Sequence, residues 1–111
     1  MHVLDQDTAE HYLWQGDCHG WRLCDTPELS VIREAMPAGR AETRHRHARA
    51  RQVFVCLTGA LEINAGDQTA RLTAGQSLTI PPGIWHIVRA PEAAEFLVIS
   101  APSTRGDREE S

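Results

Sequence analysis

From residue 29 to residue 100 the chain falls into stretches of four to eight residues rich in strand-forming side chains, each closed by turn chemistry. No other feature constrains the fold as much, because such stretches have the length of strands and not of full helices. They run 29–36, 43–48, 52–58, 61–65, 69–72, 77–80, 85–90 and 95–100. The breaks between them are Pro37-Ala38-Gly39, Gly59-Ala60, Gly66-Asp67, Ala74-Gly75, Pro81-Pro82-Gly83 and Ala90-Pro91. Proline cannot donate to a strand ladder and glycine permits a tight turn. Helical periodicity is not sustained anywhere after Gly39. Residues 8–14 fit a helical turn or a strand equally well.

Eight short strands predict an all-β domain, either a sandwich or a closed barrel, since closure removes sheet edges that invite aggregation. With 111 residues the chain has room for one domain. The expected division is a barrel over 29–101, an N-terminal segment over 1–28 packed on the barrel or on a partner, and a frayed polar tail over 102–111. Stretch 52–58 is apolar on both faces and needs cover outside as well as inside, which predicts a homodimer. Tyr12, Trp14 and Trp21 are expected to be packing residues of the first segment.

Composition excludes several classes of function. Hydrophobic residues make up 41% and charged residues 23%, the balance of a globular domain. No apolar run approaches the ~20 residues a membrane helix requires, and residues 1–7 lack the pattern of a signal peptide, so a cytoplasmic protein without a membrane partner is expected. A net charge of −4 disfavours nucleic acid as a partner. All 11 basic residues are arginine, and the run Arg40, Arg44, Arg46, Arg49, Arg51 is expected to coat outer faces and loops. Cys18, Cys24 and Cys56 form no CxxC pair and are expected to be reduced, with Cys56 a core residue.

Chemistry concentrates in four residues. His45 and His47 are two apart, so on a strand both imidazoles face one side while Arg44 and Arg46 face the other. Two such rings can grip one divalent metal at ~2.0–2.1 Å. Gln52 opens the next strand and lies within reach. His86, after the stiff Pro81-Pro82-Gly83 turn, can complete the set from a neighbouring strand. His2, His11 and His19 lack this context and read as surface or loop residues.

In these positions the chain resembles the cupin superfamily, in particular its small single-domain, cupin-2-like and RmlC-like members. The first cupin motif corresponds to Gly39, His45-x-His47, Gln52 and Gly59; the second corresponds to Gly75, Pro81-x-Gly83, His86 and Ala90. The resemblance covers residues 39–90 and implies a double-stranded β-helix, or jelly-roll barrel. It also implies one divalent transition metal (Fe, Ni, Zn, Mn or Cu) on His45, His47, His86 and Gln52. Ala90 replaces the family's usual Asn, at a weak position. Gln52 replaces its usual Glu, leaving a bound divalent ion its full +2 charge. Such a site is expected to bind metal more weakly, to be a stronger Lewis acid and to attract an anionic small-molecule ligand. Gln52 either ligates through its carbonyl oxygen or only hydrogen-bonds a bound water.

Cupins span many reactions, and a fold does not fix one. The leading expectation is a small metal-binding cupin that binds or transforms a small organic molecule by dioxygenase-like or Lewis-acid chemistry. The alternatives are a non-catalytic metal or small-ligand binding module, a sugar isomerase or epimerase-like cupin, and a purely structural barrel. Phe54, Cys56 and Val88 share parity with the ligands and predict a mainly apolar pocket, whereas Trp85 points outward. Glu34 and Glu42 precede the histidine pair, but their side of the sheet is open. The lack of an evident acid–base pair counts against proton shuttling.

Overall fold

The computed structural model describes residues 1–111 and contains only strands. They are β1 (Glu10–Trp14), β2 (Cys18–Asp25), β3 (Ser30–Met36), β4 (His45–Arg46), β5 (Arg51–Ala65), β6 (Gln68–Thr73), β7 (Ser77–Ile80), β8 (His86–Ala101) and β9 (Glu109–Glu110). All pair antiparallel within one nine-stranded sheet, which curls into the jelly-roll barrel expected from the motifs. No helix is long and apolar enough to cross a membrane.

The spine is the pair β5–β8, in register from Arg51↔Ala101 to Ala65↔His86. Stretches 52–58 and 61–65 are therefore one strand, and so are 85–90 and 95–100. The turn residues between them do not end the strands, because they fall where the register shifts between Cys56 and Glu62. Extra residues at such bulges are taken out of the ladder, which accommodates Pro91 and bends the sheet. Gly59 sits there with φ +74°, and a Cβ on it would overlap the Ala93 carbonyl. Both the backbone conformation and the close approach require glycine.

The second half of β8 pairs with β3, from Ser30↔Ser100 to Met36↔Ala94, and β3 passes the sheet on to β2 and β1. β1 and β2, within residues 1–28, thus extend the barrel's own sheet. The ambiguity over 8–14 resolves as a turn ending at Ala9 and a strand over Glu10–Trp14, closed by a hairpin turn at Gln15 (φ 49°) and Gly16 (φ 85°). Positive φ at two successive residues matches the right-handed twist of a tight hairpin. Stretch 43–48 keeps only two strand residues, His45 and Arg46.

The expectation of a frayed tail over 102–111 is corrected. Residues 109–110 add β9 beside β4, with His45↔Glu110 and Arg46↔Glu109 in register, and Ser103 and Asp107 are buried. Polar composition suggested fraying, yet the segment docks through hydrogen bonds and ion pairs. These leave no mark in hydrophobic periodicity.

Alternation decides what lies inside. Along β5, Gln52, Phe54 and Cys56 are buried while Val53, Val55 and Leu57 are half-buried on the other face. Phe54, Cys56, Leu61, Ile63, Val88 and Phe96 form the centre of the core. All three cysteines are free.

Candidate metal centre

The chain returns to one end of the barrel three times to build this site. His45 lies on β4 directly opposite His86, the first residue of β8. His47 follows two residues after His45, on the same side. All three side chains are buried, and their ligand nitrogens lie within 4.8 Å of one another. The convergence expected of three distant imidazoles is present.

Each ring is fixed by the main chain. Nδ1 of His45 donates to the Thr43 carbonyl at 2.7 Å, that of His86 to the Ile84 carbonyl at 2.9 Å, and that of His47 to the Asp107 carbonyl at 2.5 Å. A carbonyl only accepts, so each Nδ1 carries a proton, and a neutral ring so held has its lone pair on Nε2. Burial lowers the pKa of His45 and of His86 to about 4, keeping both rings neutral at physiological pH. Neutral imidazoles with a free Nε2 are metal donors, and a main-chain partner on the other nitrogen is the arrangement that orients them.

The donor set is tested by what is left unpaired. His86 Nε2 and Gln52 Oε1 are buried acceptors without a hydrogen-bond partner. The Gln52 amide is held at its other end, where Nε2 donates to Ser100 Oγ at 3.1 Å. Orphaned buried acceptors are costly, and native structures retain them for a reason. A divalent cation among the rings satisfies the lone pair on His86 and is compatible with the Gln52 oxygen. The residues present therefore fit a metal.

Gln52, His45 and His47 line a cavity of about 430 Å³. Its walls differ from the expected apolar pocket. Phe54 reaches it, but Cys56 and Val88 lie in the core beneath. Charged walls come instead from Arg22 on β2, Glu34 on β3, Glu42 before β4 and Arg108 from the C-terminal segment. Glu42 Oε1 stands 3.4 Å from His45 Nε2 and accepts from Arg108 Nη1 at 3.1 Å. Burial raises the Glu42 carboxyl above the usual carboxylate range, with Arg108 pulling it back. Burial and the neighbouring Glu42 raise Glu34 well above that range. Tyr12, under the Arg22 guanidinium at 4.4 Å, is pushed up to about 12, chiefly by burial.

A family model of the cupin domain matches residues 32–100. The chain belongs to the cupin family. No curated protein matches it in sequence. Among solved structures this cupin is similar to KdgF from Halomonas sp., with 20% identity over 95% of this chain and 98% of that one and a TM-score of 0.86. An RmlC-like cupin from Shewanella frigidimarina gives 23% identity over 96% and 95% of the two chains, also at 0.86. The Cnp3 cupin domain of Schizosaccharomyces pombe gives 18% over 94% and 76%, at 0.76. At such identities the likeness is one of fold.

The remaining expectations sort by face. Trp85 points away from the cupin pocket and is flanked by the guanidinium groups of Arg44 and Arg46 at 4.6 and 4.7 Å. Arg40 pairs with Asp17 at 2.9 Å on the surface. His11 and His19 lie on adjacent strands, hydrogen-bonded to each other at 2.8 Å and close to Trp21. Tyr12, Arg22, Arg108 and Asp107 were not foreseen as site residues. Glu34 was open to sequence reasoning, since it shares strand parity with Ile32 and the buried Met36. Arg108 and Asp107 sit in a stretch without any periodic signal.

Proposed function

We propose that this cupin holds one divalent metal ion on His45, His47 and His86, with Gln52 beside it, and transforms a small polar organic molecule there. The observation that carries this reading is the meeting of three Nε2 lone pairs, each fixed by a main-chain carbonyl. A bound cation supplies a Lewis acid that polarises a carbonyl or hydroxyl oxygen of the ligand. Fe, Ni, Zn, Mn and Cu all suit a histidine-rich set.

The chain's own residues do the rest. Glu42 can hold a proton at its carboxyl beside the imidazoles, and Glu34 presents a second carboxyl in the same cavity. Arg108 and Arg22 carry charge to orient an anionic group of the ligand. Ile32, Phe54 and Val98 exclude water from part of the wall. Two carboxyls in the same cavity as the histidines, Glu42 beside His45, supply the acid–base pair that spacing alone did not reveal. They favour proton-transfer chemistry of the isomerase or epimerase kind over oxygen chemistry. The three free cysteines suit a reducing compartment, and the cytoplasm is the proposed location. A second copy covering the outer face of β5 is the proposed partner.

Metal analysis after reconstitution with each candidate ion tests the first step. One equivalent per chain is expected, lost in His47→Ala. Solvent-deuterium incorporation into a panel of hydroxy acids, keto acids and sugars tests the second, with oxygen uptake followed in parallel. Substoichiometric metal unaffected by His47→Ala overturns the metal reading. Full metal with neither deuterium incorporation nor oxygen uptake leaves a binding module in its place.

A further inference from the structure

We propose that Asp107 is a positioning residue for the metal centre, and that through it the docking of the C-terminal segment 102–111 and the affinity for metal are coupled. The inference rests on the metal reading above and adds a residue outside the matched cupin domain. Asp107 is 5% exposed and makes two kinds of contact with one short stretch of chain. Its main-chain carbonyl accepts the Nδ1 proton of His47 at 2.5 Å. Its carboxylate accepts from three consecutive amides, Ala48 at 2.8 Å, Arg49 at 3.0 Å and Ala50 at 2.9 Å. A single residue thus fixes the ring of His47 and the turn that carries it onward to β5.

The segment has other anchors: β9 pairs with β4 beside His45, and the rest are farther from the rings. Ser103 N donates to Pro27 O at 3.0 Å, and Arg105 pairs with Asp25. Glu109 accepts from Arg46 at 2.8 Å, with half of its side chain exposed. Exposed ion pairs contribute little, whereas a buried carboxylate on three amides is costly to remove. Arg108, the next residue, reaches Glu42 inside the cavity. Docking therefore sets the orientation of one ligand ring and delivers a charged wall residue in the same movement.

Coupling of this kind is reciprocal. If a docked segment holds His47 in the orientation a metal requires, a bound metal must strengthen docking by the same factor. Loss of an outer partner of a metal-bound histidine commonly costs 10–100-fold in affinity.

The test uses the full chain and Co(II), whose visible spectrum reports ligand geometry. In the unaltered protein, Co(II) is expected to slow amide hydrogen exchange over 103–110. Asp107→Ala keeps the main-chain carbonyl but removes the carboxylate that holds it against His47, and is expected to weaken Co(II) binding by about tenfold and alter the visible spectrum. Asp107→Asn, which cannot accept from all three amides, is expected to fall between. Glu109→Gln, at an exposed ion pair, is expected to stay within about twofold of the parent protein. Thermal melts of the apoproteins establish that each variant folds. Exchange over 103–110 that ignores Co(II) overturns the proposal without needing a variant, and so does an Asp107→Ala affinity within twofold of the parent. If the parent protein itself fails to bind Co(II), Zn(II) or Fe(II), it is the underlying metal reading that falls.

Discussion

Gln52 is a polar residue beside the three histidines that brings no titratable group to the site. Its Oε1 is buried and unpaired while its Nε2 is satisfied by Ser100, so the polar end facing no protein donor is the acceptor. Replacing it with glutamate adds one negative charge next to the three imidazole rings. Gln52→Glu is expected to tighten divalent-metal binding by about tenfold or more and to weaken anion binding at the metal, both measurable by competition titration. Unchanged anion affinity would refute the charge argument. The rings themselves give a pH prediction. His45 and His86 have folded pKa values of about 4, against 6.5 for a free ring. Above pH 6.5 folded and unfolded chains are both neutral at these sites, and the stability is intact. Between 6.5 and 4 the unfolded chain takes up protons that the fold refuses, so stability falls as pH falls and levels off below both values. Melting of the apoprotein from pH 7.5 to 4 should show this fall. His45→Gln should reduce it.

The elements show how far spacing can carry a fold. His45-x-His47, Gln52 and His86 were legible because alternation puts residues two apart on one face, and the turn residues locate the strands. Strand ends were less legible. Gly59 and Pro91 read as terminators, yet both lie within strands at register shifts, because a bulge tolerates what a regular ladder does not. The cavity wall was illegible for a related reason. Glu34 and Arg22 face inward only because β2 and β3 continue the barrel sheet, and long-range pairing of that kind has no local signature. Gly59 gives the test at this scale. Gly59→Ala adds a Cβ against the Ala93 carbonyl at a φ of +74°. It is expected to destabilise the fold by more than about 1 kcal/mol, since strain and overlap add at one position. Chemical denaturation would measure it, and a neutral result would show that the β5–β8 bulge can relax.

At the scale of the molecule the barrel is polar where it opens and apolar where it is closed off, and one outer face fits neither description. Strand register aligns Trp21, Arg33, Leu97 and Val55 in one row across β2, β3, β8 and β5, with Val31, Ile99 and Val53 in a neighbouring row. These side chains are half-buried on the face away from the core. Arg33 Nε is buried without a partner, and its Nη2 reaches Glu95 at 3.4 Å. An apolar face of this breadth calls for a cover, as the two-sided pattern of 52–58 already implied. The proposed second copy would supply one through a two-fold arrangement, in which a self-complementary patch meets itself and the set closes at two. Light scattering coupled to size-exclusion chromatography is then expected to give twice the 12.3 kDa chain mass. Val55→Glu places a charge in the middle of the patch and is expected to give the single-chain mass while leaving the His45, His47 and His86 cluster intact, because that cluster lies on the opposite face of the sheet. A monomeric parent protein would overturn the dimer while leaving the metal centre untouched, because no residue of that centre belongs to the outer rows.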